Sequence, residues 1–228
     1  MFDHSVRSDA IRAEHGVVKE VGELWGKPYT YLRHHTQVRP PRNDWRQDEI
    51  DSLQFIANLI RNGSVFPFTT AEMEAEAFRV LKCPSLGHED IFAEFRFEYL
   101  EPPIDRSKWG LSIEQHLSKE DVIAYCECFF LSPSADRTEA FIDGMRSNPC
   151  FSLTGFEERC LRRLDVFKRI CRGIDRTHYP DALHLWTAEE NSVDVFLTMD
   201  KRFRNVIQRQ KADLHCRILF PSELKSQF

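Results

Sequence analysis

An α/β fold with a parallel sheet is expected from three observations. The C-terminal third alternates helix, strand, helix, strand in "PDALHLWTAEEN", "VDVFLT", "KRFRNVIQRQ" and "CRILF", the grammar of a parallel sheet. The segment "VDVFLT" is short, β-branched and aromatic, and apolar on both faces, as a strand covered by helices on each side must be. Upstream, an amphipathic helix over 46–61 leads into "SVFPF", a short buried strand, and then into another helix.

Taken in order, residues 8–24 carry Ile11, Val17, Val18, Val21 and Leu24, a partial apolar face that predicts a helix. The stretch 26–45 is rich in Pro, Arg, His and aromatics and reads as a loop. In "RQDEIDSLQFIANLIR", residues 46–61, Ile50, Leu53, Ile56, Ala57 and Ile60 recur at spacings of three and four, which makes a helix. Asn62-Gly63 stops it, with Gly63 as the C-terminal cap. In "SVFPF" Pro67 calls for an edge or strand-end position. "TTAEMEAEAFRVL" continues as a helix with Thr69 or Thr70 as N-cap.

Residues 83–118 mix Phe alternation at 95 and 97 with Pro102-Pro103 and read as irregular or β-containing. The stretch 83–150 is taken as an insertion within one domain spanning 1–228. Inside it, "SKEDVIAYCECFFLS" is a helix capped by Ser118, with Glu120 and Asp121 in its first turn, and 135–147 is another. Residues 155–172 predict one periodic helix, with Leu161, Leu164, Phe167 and Ile170 on one face and a solvated basic face opposite. Pro180 suits the first turn of the "PDALHLWTAEEN" helix. Pro221 ends the last strand, and "PSELKSQF" trails off.

A chain of 228 residues with 42% hydrophobic content can bury one substantial core. The formal net charge is -5 and the pI about 6.0, so there is no basic signature of a nucleic-acid binder. Bound divalent cations would have to help carry the phosphate contact. The seven cysteines are scattered and odd in number. Cys126 and Cys128 lie one residue apart with no second pair, and His34-His35 is an isolated doublet, so no zinc module is expected. "MFDHSVRSDAIRAEHG" is polar and lacks a secretory apolar run. No segment approaches the roughly 18 apolar residues of a membrane span. A soluble cytoplasmic protein with free thiols is the expectation.

Asp200 sits immediately after the strand "VDVFLT", and ligands of open α/β sheets bind beyond the carboxyl ends of strands. Asp181 lies in the first turn of the preceding helix, which must run antiparallel to that strand. The two Asp, nineteen residues apart, should therefore meet at one sheet edge. The same logic places Glu72, Glu74 and Glu76 at the carboxyl end of "VFPFTT". Asp3 is a fourth if residues 1–3 close a very short first strand. Converging carboxylates repel unless a cation joins them. An all-oxygen set suits Mg2+ or Mn2+ rather than zinc, and such ions serve phosphoryl chemistry. Each residue also has a plainer reading: Asp181 as a helix N-terminal carboxylate, Asp200 as the N-cap of "KRFRNVI", and the glutamates as a polar helix face. His184 reads as a surface or core histidine, and Trp186 as packing.

The segment "PDALHLWTAEENSVDVFLTMDKRF" closely resembles the C-terminal half of PIN-domain nucleases. The matching features are Asp181-Ala182, the small Ala188, the apolar run Val193–Leu197, then Thr198-Met199-Asp200, Lys201 and Phe203. "CRILFPSEL" resembles the family's last strand, and "SVFPFTTAEMEAEAF" the strand and helix that supply its central Glu. The resemblance spans 178–224 and, less closely, 46–80; it is poor over 83–150 and at the N-terminus. It implies a three-layer α/β/α sandwich around a mostly parallel sheet and an Mg2+- or Mn2+-dependent ribonuclease. It also implies Asp181 and Asp200 as catalytic metal ligands and Thr198 as a ligand or supporting donor. Glu76 is the central Glu, with Glu72 in reserve one turn earlier and Glu74 pointing elsewhere. At the N-terminus only two apolar residues precede Asp3. Either Asp3-His4-Ser5 is a shortened first motif, with Asp9 a weaker substitute, or the first Asp is missing. RNA would be held by Lys201, Arg202 and Arg204. The resemblance further admits an inhibitory antitoxin-like partner, a homodimer, or a catalytically degenerate binding module.

Overall fold

The computed structural model describes the chain apart from residues 25–26, 39–42, 81–87, 106–117, 132–134, 148–151 and 211–212. The fold is mixed α/β, with helix predominating and the strands gathered into small sheets. A short helix α1 (His4–Ala10) is followed by the long strands β1 (Ile11–Leu24) and β2 (Lys27–Val38). Then come α2 (Asp44–Arg61), β3 (Phe68–Thr69), α3 (Ala71–Val80), β4 (His88–Asp90) and β5 (Glu98–Tyr99). Helices α4 (Lys119–Tyr125), α5 (Ala135–Arg146), α6 (Gly155–Arg162) and α7 (Leu164–Cys171) form the middle of the chain. The C-terminal run is α8 (Tyr179–Glu190), β6 (Val195–Leu197), α9 (Lys201–Gln210), β7 (Arg217–Leu219) and α10 (Pro221–Lys225).

Two expectations at the N-terminal end are corrected. Residues 11–24 are a strand rather than a helix, and 27–38 pair with it antiparallel, from Leu24 opposite Lys27 to Ala13 opposite Val38. The reason is visible in residue type. Val17, Val18 and Val21 are β-branched, and Gly16 and Gly22 interrupt any helix. Gly22 lies opposite Tyr29, and a Cβ there would stand 3.0 Å from the Tyr29 ring, so the glycine leaves room for the ring over the strand. Tyr31 donates 2.6 Å to Glu20 across the same ladder. The helix read from 46 begins at Asp44, with the Asn43 side chain accepting from the Arg46 N–H.

Several other elements fall where the periodicity puts them, although the strand read in "SVFPF" is confined to Phe68–Thr69 and Phe66 is exposed. Gly63 has φ 76° after α2, as a C-cap requires. Thr70 rather than Thr69 caps α3, its hydroxyl accepting from the Met73 N–H at 3.1 Å. Ser118 caps α4 by accepting from the Asp121 N–H, and a π-helical turn, Cys126–Leu131, prolongs that helix. The helix expected over 155–172 is two helices, broken at Arg163. "PSELK" is a helix rather than a tail. Its N-terminus is closed by buried Glu49, which accepts from the Ser222 N–H and hydroxyl.

The sheets are β2-β1-β4, antiparallel, and the parallel pairs β3-β5 and β6-β7. A parallel bridge from Phe2 to Leu197 adds the first residues beside β6. One continuous central sheet is not formed among the described residues. β6 is nevertheless buried on both faces, as "VDVFLT" predicts. Phe196 packs with Phe130, Phe167, Trp186 and Phe203 on one side. Leu197 packs with Phe2, Leu53, Ile56 and Phe92 on the other. The described parts of 83–150 belong to these cores through Phe92, Phe130 and Ile142. Among the described residues no helix is long and apolar enough to cross a membrane.

Candidate metal centre

The parallel ladder around β6 sets the site. The Leu197 N–H donates to the Met1 carbonyl and the Asp3 N–H to the Leu197 carbonyl, each at 2.9 Å. On the other side the Thr198 N–H donates to the Leu219 carbonyl at 3.1 Å. Both chains therefore run out of the sheet in the same direction, and Asp3 and Thr198–Asp200 emerge together. Residues 1–3 do act as a very short first strand.

Asp200 divides its carboxylate between two tasks. Oδ1 accepts from the N–H groups of Arg202 at 2.8 Å and Phe203 at 2.9 Å, capping α9. Oδ2 faces the start of α8. There the Nδ1 of His178 lies 3.6 Å from Asp200 Oδ2 and 3.0 Å from Asp181 Oδ2. One ligand atom each from His178, Asp181 and Asp200 lie within 4.8 Å of one another. The start of α8 thus meets the end of β6, as the antiparallel argument requires. The turn between them closes through Ser192 at φ 57° and the Val193 N–H to Ala188 carbonyl bond. The hydrogen bond to the Asp181 carboxylate holds the His178 imidazole above its ordinary pKa.

Asp3 stands beside this cluster and is 3% exposed. Its Oδ2 accepts from the Ser5 hydroxyl at 2.6 Å and the Thr198 hydroxyl at 2.7 Å. Its Oδ1 is buried with no hydrogen-bond partner. Burial, and then the charge of Asp181, push the Asp3 carboxyl up to about 6 against the opposing pull of those two hydroxyls. Thr198 is fully buried. Its hydroxyl donates to Asp3 and accepts from the Asp200 N–H at 3.0 Å, so it orients carboxylates rather than offering itself as a ligand. Ser5 ties in from below, accepting from the Met199 N–H at 3.0 Å.

The three glutamates of α3 separate clearly. Glu74 takes Arg7 at 2.6 Å and the Thr69 hydroxyl at 3.1 Å, away from the cluster. Glu76 reaches α8, where its Oε2 lies 3.4 Å from Nε2 of buried His184. Burial alone would lower the His184 pKa, but Glu76 together with the charges of Asp181 and Asp3 outweighs it and leaves the imidazole raised. His184 also lies within the field of Asp181 and Asp3. The contact with His184 brings Glu76 to α8. Neither Asp3 nor Glu76 joins a set of three donors within 4.8 Å among the described residues. Asp9 is removed as a substitute: it is buried and paired with Arg46, which also donates to the Met199 carbonyl.

Of the expected RNA-binding cations, Lys201 lies 3.5 Å over the Trp45 ring. Arg204 is engaged by Glu223 and stacked on Phe220. Arg202 is exposed. Three basic residues of 155–172 meet acids, Arg162 with Glu139, Arg163 with Glu190 and Arg169 with Asp165. His178 is the one residue at the cluster that sequence reasoning passed over. Its signal was the spacing His-x-x-Asp across one helical turn. Comparison with protein-family models, curated proteins and solved structures gives no match to this chain.

Proposed function

We propose that the protein is a divalent-metal-dependent endoribonuclease, with Asp181 and Asp200 as metal ligands and Asp3 and Glu76 completing the carboxylate set. The observation that carries this reading is the Asp3 oxygen Oδ1, buried without a partner next to the charge of Asp181. An unpaired carboxylate oxygen beside other acids is costly unless a cation takes it up. A donor set built from carboxylates fits Mg2+ or Mn2+. The choice of RNA rests on the resemblance of residues 178–224 to PIN-domain nucleases. The degenerate alternative drew on the brevity of the run before Asp3, and the Phe2–Leu197 bridge gives that run its strand partner.

When bound, the cation would supply an activated water and neutralise charge on the phosphoryl group. The chain's own residues do the rest. Thr198 and Ser5 fix the Asp3 carboxylate, and the α9 cap fixes Asp200, so both are oriented before any substrate arrives. Lys201 and Arg202 open α9 beside Asp200, where their charge favours a phosphate. His184 steadies Glu76 from the dry side.

The test is Mn2+ calorimetry and cleavage of single-stranded RNA, with wild type and Asp200→Asn. An Asn oxygen still accepts the two N–H groups of the α9 cap, so the fold is kept. Both binding and cleavage should disappear. Full cleavage by the variant overturns the assignment, and wild type that binds no Mn2+ favours a protein-binding role for the fold.

A further inference from the structure

We infer that His178 is a metal ligand through Nδ1, and that the centre therefore selects a first-row transition ion over Mg2+. This rests on the reading of the site as a metal centre and adds the identity of the ion.

The carboxylates alone would suggest a hard, all-oxygen site, but the set of three close donors found among the described residues contains a nitrogen. Nδ1 of His178 faces two carboxylate oxygens at once, Asp181 Oδ2 at 3.0 Å and Asp200 Oδ2 at 3.6 Å. One atom placed between two acids on separate elements is the arrangement a shared cation draws together. The ring is also held. It stacks on Phe203 with centroids 6.1 Å apart and planes at 28°. The backbone N–H of that same Phe203 donates to Asp200 Oδ1. Phe203 thus fixes the imidazole plane with its side chain and the carboxylate with its backbone, leaving Nδ1 and Oδ2 directed toward each other. Buried Asp3, whose Oδ1 lacks a partner within the field of Asp181, is the independent observation that points to a cation beside this cluster.

Imidazole is a good donor to Fe2+, Co2+, Ni2+ and Zn2+, and along the first row affinity for a nitrogen donor rises from Mn2+ onward. Mg2+ prefers oxygen and gives up its waters reluctantly. A His nitrogen in the set therefore adds affinity for transition ions and little for Mg2+.

Mn2+ serves as the probe because it is paramagnetic and sits at the weak end of that series. Electron spin-echo envelope modulation of Mn2+-loaded wild type should show coupling to an imidazole nitrogen, altered when histidine carries heavy nitrogen. His178→Ala should lose the coupling and weaken Mn2+ binding about 10- to 100-fold while changing Mg2+ binding far less. His178→Asp, which restores an oxygen donor, should move the preference toward Mg2+. Bound Mn2+ without nitrogen coupling in the wild type overturns this inference and leaves the metal centre standing. Coupling that survives in His178→Ala overturns it too. Wild type that binds neither ion overturns the metal centre itself and this inference with it.

Discussion

The Thr198 hydroxyl donates a 2.7 Å hydrogen bond to Asp3 Oδ2 across 195 residues of chain. The same hydroxyl accepts from the Asp200 N–H. One oxygen atom thereby links the first segment of the protein to the loop that leaves β6, and it orders two carboxylates of the proposed centre relative to each other. In a buried position such a link is worth more through what its loss leaves unpaired than through its own strength.

Thr198→Val keeps the shape and removes the oxygen. Asp3 then has one hydroxyl donor instead of two, and the Asp200 N–H loses its acceptor. The variant should be less stable by about 1–3 kcal/mol in urea unfolding of the metal-free protein, and Thr198→Ser should recover most of the difference. A Val variant as stable as wild type would mean that the hydroxyl holds nothing in place.

Glu190 provides a pH test away from the site. It is buried at the end of α8, accepting from Arg163 at 3.0 Å and the Trp186 indole at 3.2 Å. Burial raises its pKa above the ordinary 4.5, with Arg163 and Trp186 opposing. The folded state then holds that proton more tightly than the unfolded state. The stability it contributes is complete below pH 4.5 and is lost as pH rises through the folded value. Glu190→Gln should remove this slope. Urea-unfolding curves of wild type and variant, compared from pH 4 to about 7, should give a stability difference that drifts against wild type with rising pH. A constant difference over that window contradicts the raised value.

The thiols divide by burial. Cys160, Cys171 and Cys216 are buried, and desolvation pushes each up to about 12. At pH 8 only about one in ten thousand of such thiols is ionised, and the thiolate is the reactive form. Cys128 is exposed. Iodoacetamide followed by peptide mass mapping should find Cys128 modified well before the other three, and all four modified together in urea. Native-state labelling of Cys216 as fast as Cys128 would show that the β7 edge is open to solvent.

Much of the helical framework was legible locally. The apolar spacing of Leu53, Ile56 and Ala57 marks α2 because a stripe at that period must be buried whatever lies opposite. The stretch from Asp181 to Phe203 was legible because helix, turn and strand follow within a few residues, which leaves one way to return the chain. The β1–β2 hairpin was not. Ile11, Val17, Val18 and Leu24 fit a helical face loosely, and what makes them a strand is the partner at 27–38, whose Pro, His and Arg residues hid its pairing. The break at Arg163 was also hidden, since Leu161 and Leu164 keep the helical rhythm on either side while Arg163 reaches across to Glu190.

By itself the sequence determined which acids could converge: Asp200 at a strand end, Asp181 at the start of the preceding helix, and one glutamate of α3. Chain connectivity over short distances decides that. Only the tertiary structure decided that Asp3 comes out at the same sheet end, because its strand exists through a parallel bridge to Leu197. It also supplied the partners that separate the glutamates, Arg7 and Thr69 for Glu74 and His184 for Glu76. And it placed His178 between Asp181 and Asp200, a position set by the packing of its ring on Phe203. Sequence fixes the order of the donors, but hydrogen bonds and packing between distant segments select the atoms that face one another.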